Sequence, residues 1–177
     1  MSSMNILIIY GLPCSGKSTL LRELNGYRAL SVDNLIQRKK EDPEISDFIE
    51  LSGELVGEIF TSIIEGQGSD VVVEMGCLIP KEAVDILEAM LLENGLDYIN
   101  IVLTASKDEL IRRIKARNRD IDTGKTNSIK ISGPDYLTRF VTVFDGNHPK
   151  SAIYIDTTEA AVAKADIDEI LDGRKTL

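Results

Sequence analysis

The sequence predicts an α/β domain in which helices cover both faces of a parallel sheet. Three observations predict it. Short apolar runs rich in β-branched residues recur along the chain, longer stretches of helical periodicity separate them, and the first run passes through a glycine-rich turn straight into a helix. Continuous apolar strands need cover on both faces, which alternating helices supply. With 177 residues, 43% hydrophobic and 28% charged, the chain can bury one core, and its composition excludes a disordered or membrane-embedded class. One domain over 1–177 is expected.

The strands are expected at 5–10 (NILIIY), 28–32, 71–75 (VVVEM), 98–104 (YINIVLT) and 152–156 (AIYID). Helical patterns occupy 17–24, 46–65, 80–94, 106–117, 133–144 and 159–171. Pro80 suits a first helical turn and Gly95 a stop. Ser106 and Glu109 have the spacing of a capping box. The segment 118–132 is polar and rich in turn formers, so it is expected to be a loop. Tyr136, Phe140 and Phe144 recur at helical spacing and read as core, and His148, just before Pro149, reads as a loop residue.

The net charge is −9, unevenly spread. Residues 41–97 carry 15 acids and one base, Lys81, whereas residues 107–130 carry 8 bases and 4 acids. The acidic stretch opposes a tight grip on a long polyanion, and the basic segment makes a local cationic site. No apolar run reaches the length of a membrane span, and the first apolar run has neither a basic flank nor a cleavage site. Cys14 and Cys77 form no CxxC pair, and one histidine excludes a His-rich metal site. A reducing cytoplasm is the expected compartment, with no membrane partner.

The residues Gly11-Leu12-Pro13-Cys14-Ser15-Gly16-Lys17-Ser18, followed by Thr19, fit G-x-x-x-x-G-K-[ST] between a strand and a helix. Glycines let backbone N–H groups converge on phosphate oxygens, and a helix start adds further donors. Lys17 can reach the β/γ oxygens and the Ser18 hydroxyl can ligate Mg²⁺. Cys14 either fills a permissive position in this loop or carries a thiol activated by the helix start.

Such a loop serves switches, motors and kinases alike. The guanine-reading segments DxxG and [NT]KxD are absent. A hydrolysing ATPase could use Glu74, at the end of the third strand, to position water. A kinase needs a base near the acceptor hydroxyl and cations over the transferred phosphoryl group. Asp33, expected at the end of the second strand on the same sheet edge as the loop, is either that base or the N-cap of a helix starting near Asn34. Arg113 and Arg117 share a helix face, with Arg119 expected just beyond in the loop. They read either as lid cations or as a solvated basic helix end.

On these residues the chain resembles the small P-loop kinases that include the kinase domain of polynucleotide 5′-hydroxyl kinases, among the AAA-type small kinases of the P-loop nucleoside triphosphate hydrolases. The resemblance runs from Met4 to about Ile170. It is carried by GLPCSGKST, by Ser31-Val32-Asp33-Asn34, by VVVEMGCLIPKEA, by the R-x-x-x-R of Arg113 and Arg117, and by Asp156-Thr157-Thr158. It implies strand order 2-3-1-4-5, a substrate-side insertion over about 34–68, a lid over about 113–134, Asp33 as general base, Glu74 near substrate or Mg²⁺, and Thr157 and Thr158 beside the adenine. ATP and Mg²⁺ are the implied phosphoryl donor and metal.

The family's arginines beside the catalytic Asp are absent. Val32 precedes Asp33 and Leu35–Ile36 follow, so Arg38, Lys39 and Lys40 are the candidates to hold an acceptor phosphate. The expected activity is transfer of the γ-phosphoryl group of ATP to a hydroxyl on a nucleoside, nucleotide or nucleic acid. The alternatives are a polyol- or sugar-like acceptor, and an ATP-binding regulator or ATPase subunit.

Overall fold

The strand β1 (Ile6–Gly11) is buried along its whole length and forms the middle of the sheet. The computed structural model describes residues 4–40, 47, 50–66, 68–125, 131, 138, 141, 142, 144, 149 and 151–175, the side chains of 160–164, 174 and 175 excepted. After β1 come α1 (Lys17–Glu23), β2 (Arg28–Ser31), α2 (Val32–Lys39), α3 (Ser52–Glu65), β3 (Val71–Glu74), α4 (Lys81–Glu93), β4 (Tyr98–Thr104), α5 (Lys107–Asp122), β5 (Ile153–Asp156) and α6 (Ala160–Lys175). The sheet is all-parallel in the order β2-β3-β1-β4-β5, as the resemblance implied. Among the described residues no helix is long and apolar enough to cross a membrane.

The period-2 alternation of a strand explains the layers. Ile6, Ile8 and Tyr10 face one way and pack with Ile36, Leu55, Ile59, Ile63, Leu87 and Leu91 from α2, α3 and α4. Leu7 and Ile9 face the other way and meet Leu20 and Leu24 around α1 and Ile167 of α6. Each such aliphatic side chain contributes about 1.5–3 kcal/mol by leaving water. Because β3 and β4 flank β1, the loops leaving all three strands at their carboxyl ends surround the glycine-rich turn. Ligands of open α/β sheets bind at that edge.

Several boundaries differ from expectation, each for a local reason. β2 ends at Ser31, whose backbone is extended and whose hydroxyl accepts from Asn34 N at 3.5 Å. Ser31 is therefore the N-cap, α2 starts at Val32, and Asp33 lies in the first helical turn, not at a strand end or a cap. Pro80 is the N-cap of α4, one place before the first turn. The Ser106–Glu109 capping geometry forms, with Glu109 N donating to Ser106 Oγ at 3.3 Å. The helix it starts runs on to Asp122, so 118–122 is helical where a loop was expected. Polar residues alone do not stop a helix. The stop comes at Thr123 and Gly124, where the glycine takes φ +70°. Arg119 consequently sits on α5, not in a loop. Of the expected helix over 133–144, Phe144 is buried in the core, while Tyr136, Phe140 and His148 lie outside the described residues.

Candidate active site

The loop after β1 is shaped by two left-handed residues. Gly16 has φ +103°, and Cys14 has φ +65°, the one positive φ at a non-glycine among the described residues. Cys14 therefore occupies no permissive position: an L-residue there carries about 1 kcal/mol or more of backbone strain. Left-handed residues at Cys14 and Gly16 bend the loop as in an anion nest, with the Ser15 N–H closing its turn on Leu12 O at 3.1 Å. Gly11 is needed for space. A Cβ there would lie 2.3 Å from Ser15 Oγ and 2.9 Å from Leu103 O. Gly11→Ala is expected to cost about 2 kcal/mol by overpacking, read as a lowered urea midpoint with an unchanged slope.

The loop carbonyls are taken up by side chains behind and beside it. Arg113 Nη1 donates to Cys14 O at 3.3 Å. The Thr157 hydroxyl lies 2.7 Å from Ser15 O and 2.8 Å from Thr104 O, and its one proton serves either. Lys17 Nζ donates to Gly11 O at 2.7 Å and to Leu12 O at 3.2 Å. Ser15 is 1% exposed, and its hydroxyl has no partner among the described residues. Pro13 is half-buried, and Ser18 and Thr19 are exposed on the first turn of α1.

Asp33 comes to this edge from α2. Its Oδ1 lies 2.9 Å from where a Cβ of Gly76 would stand, so the bare backbone after β3 is what admits the carboxylate. Cys77 follows Gly76. Burial pushes its thiol up to about 12, with Lys17 acting against that shift and Asp33 adding to it. The thiol is thus a neutral group whose electrostatic neighbours include both the loop lysine and the aspartate. Glu74 ends β3 and is aligned with Ile9 of β1 and Ser31 of β2, which places it between the glycine-rich loop and Asp33's helix.

The cations divide. Arg117 Nη1 reaches Cys14 Sγ at 4.0 Å, beside the loop. Arg113 is drawn in further: besides Cys14 O it binds Thr157 Oγ1 at 3.1 Å, Thr157 O, and Glu109 Oε1 at 2.7 Å. Arg112 holds both oxygens of Glu109, Nε on Oε2 and Nη2 on Oε1, each at 2.6 Å. Arg112 first and Arg113 second keep the Glu109 carboxyl down at about 2. That cluster is in force above the ordinary glutamate range and is lost as the pH falls through about 2. Arg119, two residues past Arg117, points about 200° away around the helix and is exposed.

On the other side, Lys39 pairs with Glu54 and Glu58 at 2.6 Å and Lys40 with Asp47. Arg38 is exposed, about 140° around α2 from Asp33. Thr158 Oγ1 accepts from Ser106 N at 2.9 Å, tying the end of β5 to the start of α5. The sequence reading missed Gly76, Cys77, and the attachment of Arg113 and Thr157 to the loop. Only the small residue following an apolar strand in EMGC was a local sign.

A glycine-rich nest, a lysine on its helix and an all-parallel 2-3-1-4-5 sheet define a P-loop protein of kinase-like fold. The chain belongs to the AAA domain family, whose model matches residues 6–130. Solved structures agree on the fold. A protein from Chloroflexus aurantiacus J-10-fl, assigned as a kinase, is 18% identical with TM-score 0.67, over 99% of this chain and 98% of that one. The Mycobacterium tuberculosis APS kinase CysC, in complex with AMPPNP and APS, is 17% identical with TM-score 0.60, over 97% and 98%. A chain of the Pnkp1/Rnl/Hen1 RNA repair complex is 18% identical with TM-score 0.61, over 82% of this chain and 45% of that one. No curated protein sequence matches the chain.

Proposed function

We propose that this chain is one kinase domain, 1–177, that transfers the γ-phosphoryl group of ATP to a hydroxyl. The observation that carries the reading is Asp33 set against Gly76 just past β3, the strand paired with β1, whose end opens into the Lys17 loop. A phosphate cradle without a base would only bind, and a base without the cradle would have no donor. Gly11, Pro13, Cys14, Ser15, Gly16, Ser18 and Thr19 line the cradle, with Lys17 over the β/γ oxygens. Asp33 orients the acceptor hydroxyl and accepts its proton as the oxygen attacks in line. Arg117 stands beside the loop over the developing charge. Arg119 joins it only if the lid segment 113–134 rearranges beyond Arg113, which is tied to the loop, and such closing would also exclude water.

Among the described residues no three His, Cys, Asp or Glu side chains gather to hold a metal. That fits an ion that arrives on the triphosphate and takes one protein hydroxyl, Ser18, with Glu74 the nearby carboxylate. When bound, Mg²⁺ offsets charge on the phosphate oxygens. Thr157 and Thr158 mark the adenine side, where β5 ends. The two free cysteines accord with a reducing cytoplasm.

The acceptor side, over about 34–68, favours a nucleoside or a nucleotide over a long nucleic acid. Lys39 and Lys40 are matched to acids and leave Arg38 as the phosphate contact. Labelled γ-phosphate offered with a panel of nucleosides, nucleotides, oligonucleotides and polyols tests the reading. Label is expected on a nucleoside or nucleotide. ATP binding with no labelled product from any acceptor would instead favour a regulator, and partner-stimulated ATP hydrolysis an ATPase subunit.

Gly76→Ala provides a test of how the base is placed. The added methyl meets only the end of Asp33 at close range, with Ile79 Cγ1 at 3.8 Å. The carboxylate gives way and the fold keeps its stability. Turnover is expected to fall roughly ten- to a hundredfold, with the urea midpoint nearly unchanged.

A further inference from the structure

We propose that Arg113 and Thr157 are positioning residues that set the phosphate nest by holding the Cys14 and Ser15 carbonyls outward. This inference rests on the nucleotide-binding reading of the loop. A peptide unit is planar, so fixing the direction of its C=O fixes the N–H of the following residue in the opposite direction. Arg113 Nη1 on Cys14 O fixes the Cys14–Ser15 peptide, whose N–H closes the turn on Leu12 O at 3.1 Å, and the Thr157 hydroxyl near Ser15 O directs the Gly16 N–H. These are the amides on either side of the alternation between Cys14 at φ +65° and Gly16 at φ +103°. The strained Cys14 conformation needs such a hold, because an unrestrained L-residue prefers the right-handed or extended regions.

The two side chains also hold each other. Arg113 Nη1 lies 3.1 Å from Thr157 Oγ1, Nη2 donates to Thr157 O, and Glu109 grips Nε at 2.7 Å. Thr157 is 7% exposed, and its backbone N–H is fixed on Thr104 O at 2.7 Å. The result is a rigid strut from β4 and β5 to the back of the loop. Arg113, four residues before Arg117 on one helix face, has its guanidinium turned to carbonyls and so differs in role from its neighbour.

Thr157 also packs on Gly16, its Cβ and Cγ2 each 3.7 Å from where a glycine Cβ would lie. Packing and hydrogen bonding are therefore separable by substitution. Thr157→Val keeps the shape and loses the hydroxyl. Thr157→Ser loses the methyl and keeps the hydroxyl. Arg113→Lys keeps the charge and loses the planar fork that reaches both Cys14 O and Thr157.

The experiment is calorimetric binding of ATP and of inorganic tripolyphosphate to the full chain and these variants, with urea unfolding of each free chain. Tripolyphosphate isolates the nest from the base-binding side. Thr157→Val and Arg113→Lys are expected to weaken both ligands roughly tenfold or more. Thr157→Ser should bind within a factor of about three of the native chain, and the double variant Thr157→Val/Arg113→Lys should lose less than the product of the two single losses. Native binding by Thr157→Val, or a greater loss in Thr157→Ser than in Thr157→Val, overturns the proposal and leaves packing as the role of Thr157. Failure of the native chain to bind either ligand overturns the proposal together with the nucleotide reading. Should Thr157→Val not fold, Arg113→Lys against the native chain decides the outcome, and native affinity there overturns it.

Discussion

Lys17→Ala is expected to remove phosphoryl transfer, with at least a 10²–10³-fold loss of turnover, from a chain that still folds. The ammonium lies on Gly11 O and Leu12 O at 2.7 and 3.2 Å. Neutral carbonyls are weaker partners for it than phosphate oxygens, so it shifts to the triphosphate at small cost. Its contribution grows as charge develops on the phosphoryl group in flight, and the loss should fall on kcat beyond what weakened ATP binding explains. Stability should fall by about 1–3 kcal/mol, because the lysine leaves Gly11 O at the end of the buried strand β1 as well as Leu12 O in the half-buried loop. Single-turnover transfer from labelled ATP, set beside ATP affinity and urea unfolding, separates these effects. Native turnover in Lys17→Ala would remove the lysine from the reaction and the kinase reading with it.

The loop was legible in the sequence because the whole device is contiguous. Eight residues between an apolar strand and a helix specify turn, donors and cation together. The sheet was legible for a related reason: β-branched runs such as Val71–Glu74 can be buried on both sides only between layers of helices. What could not be read was decided across long separations. Arg113 looked like a cation bound for the nucleotide, yet its partners Cys14 and Thr157 are 99 and 44 residues away. No helical period announces carbonyls brought in from the glycine-rich loop and from just past β5. Gly76 has the same standing, since its lack of a side chain matters only once α2 sets Asp33 against it. Arg119 was misplaced by composition, because the polar residues after Arg117 propagate a helix well enough until Gly124 takes φ +70°.

Asp33→Asn isolates the other half of the chemistry. The amide matches the carboxylate in shape and fits the same space beside Gly76, but it cannot accept the acceptor's proton. Turnover is expected to fall about 10²–10⁴-fold. ATP and tripolyphosphate affinity should stay native, because no cradle residue changes. That pattern is the reverse of the strut variants, in which binding falls first. Stability should drop by about 0.3–1 kcal/mol, since the first turn of α2 loses its one acidic residue at the positive end of the helix dipole. A small loss of that kind would not empty the folded state, so lost turnover would report on proton transfer. Glu74, between the glycine-rich loop and α2 in strand register, is the carboxylate that would remain. If Asp33→Asn turned over at the native rate while Glu74→Gln did not, the base would be Glu74, and Asp33 would revert to a helix-start residue held against bare backbone.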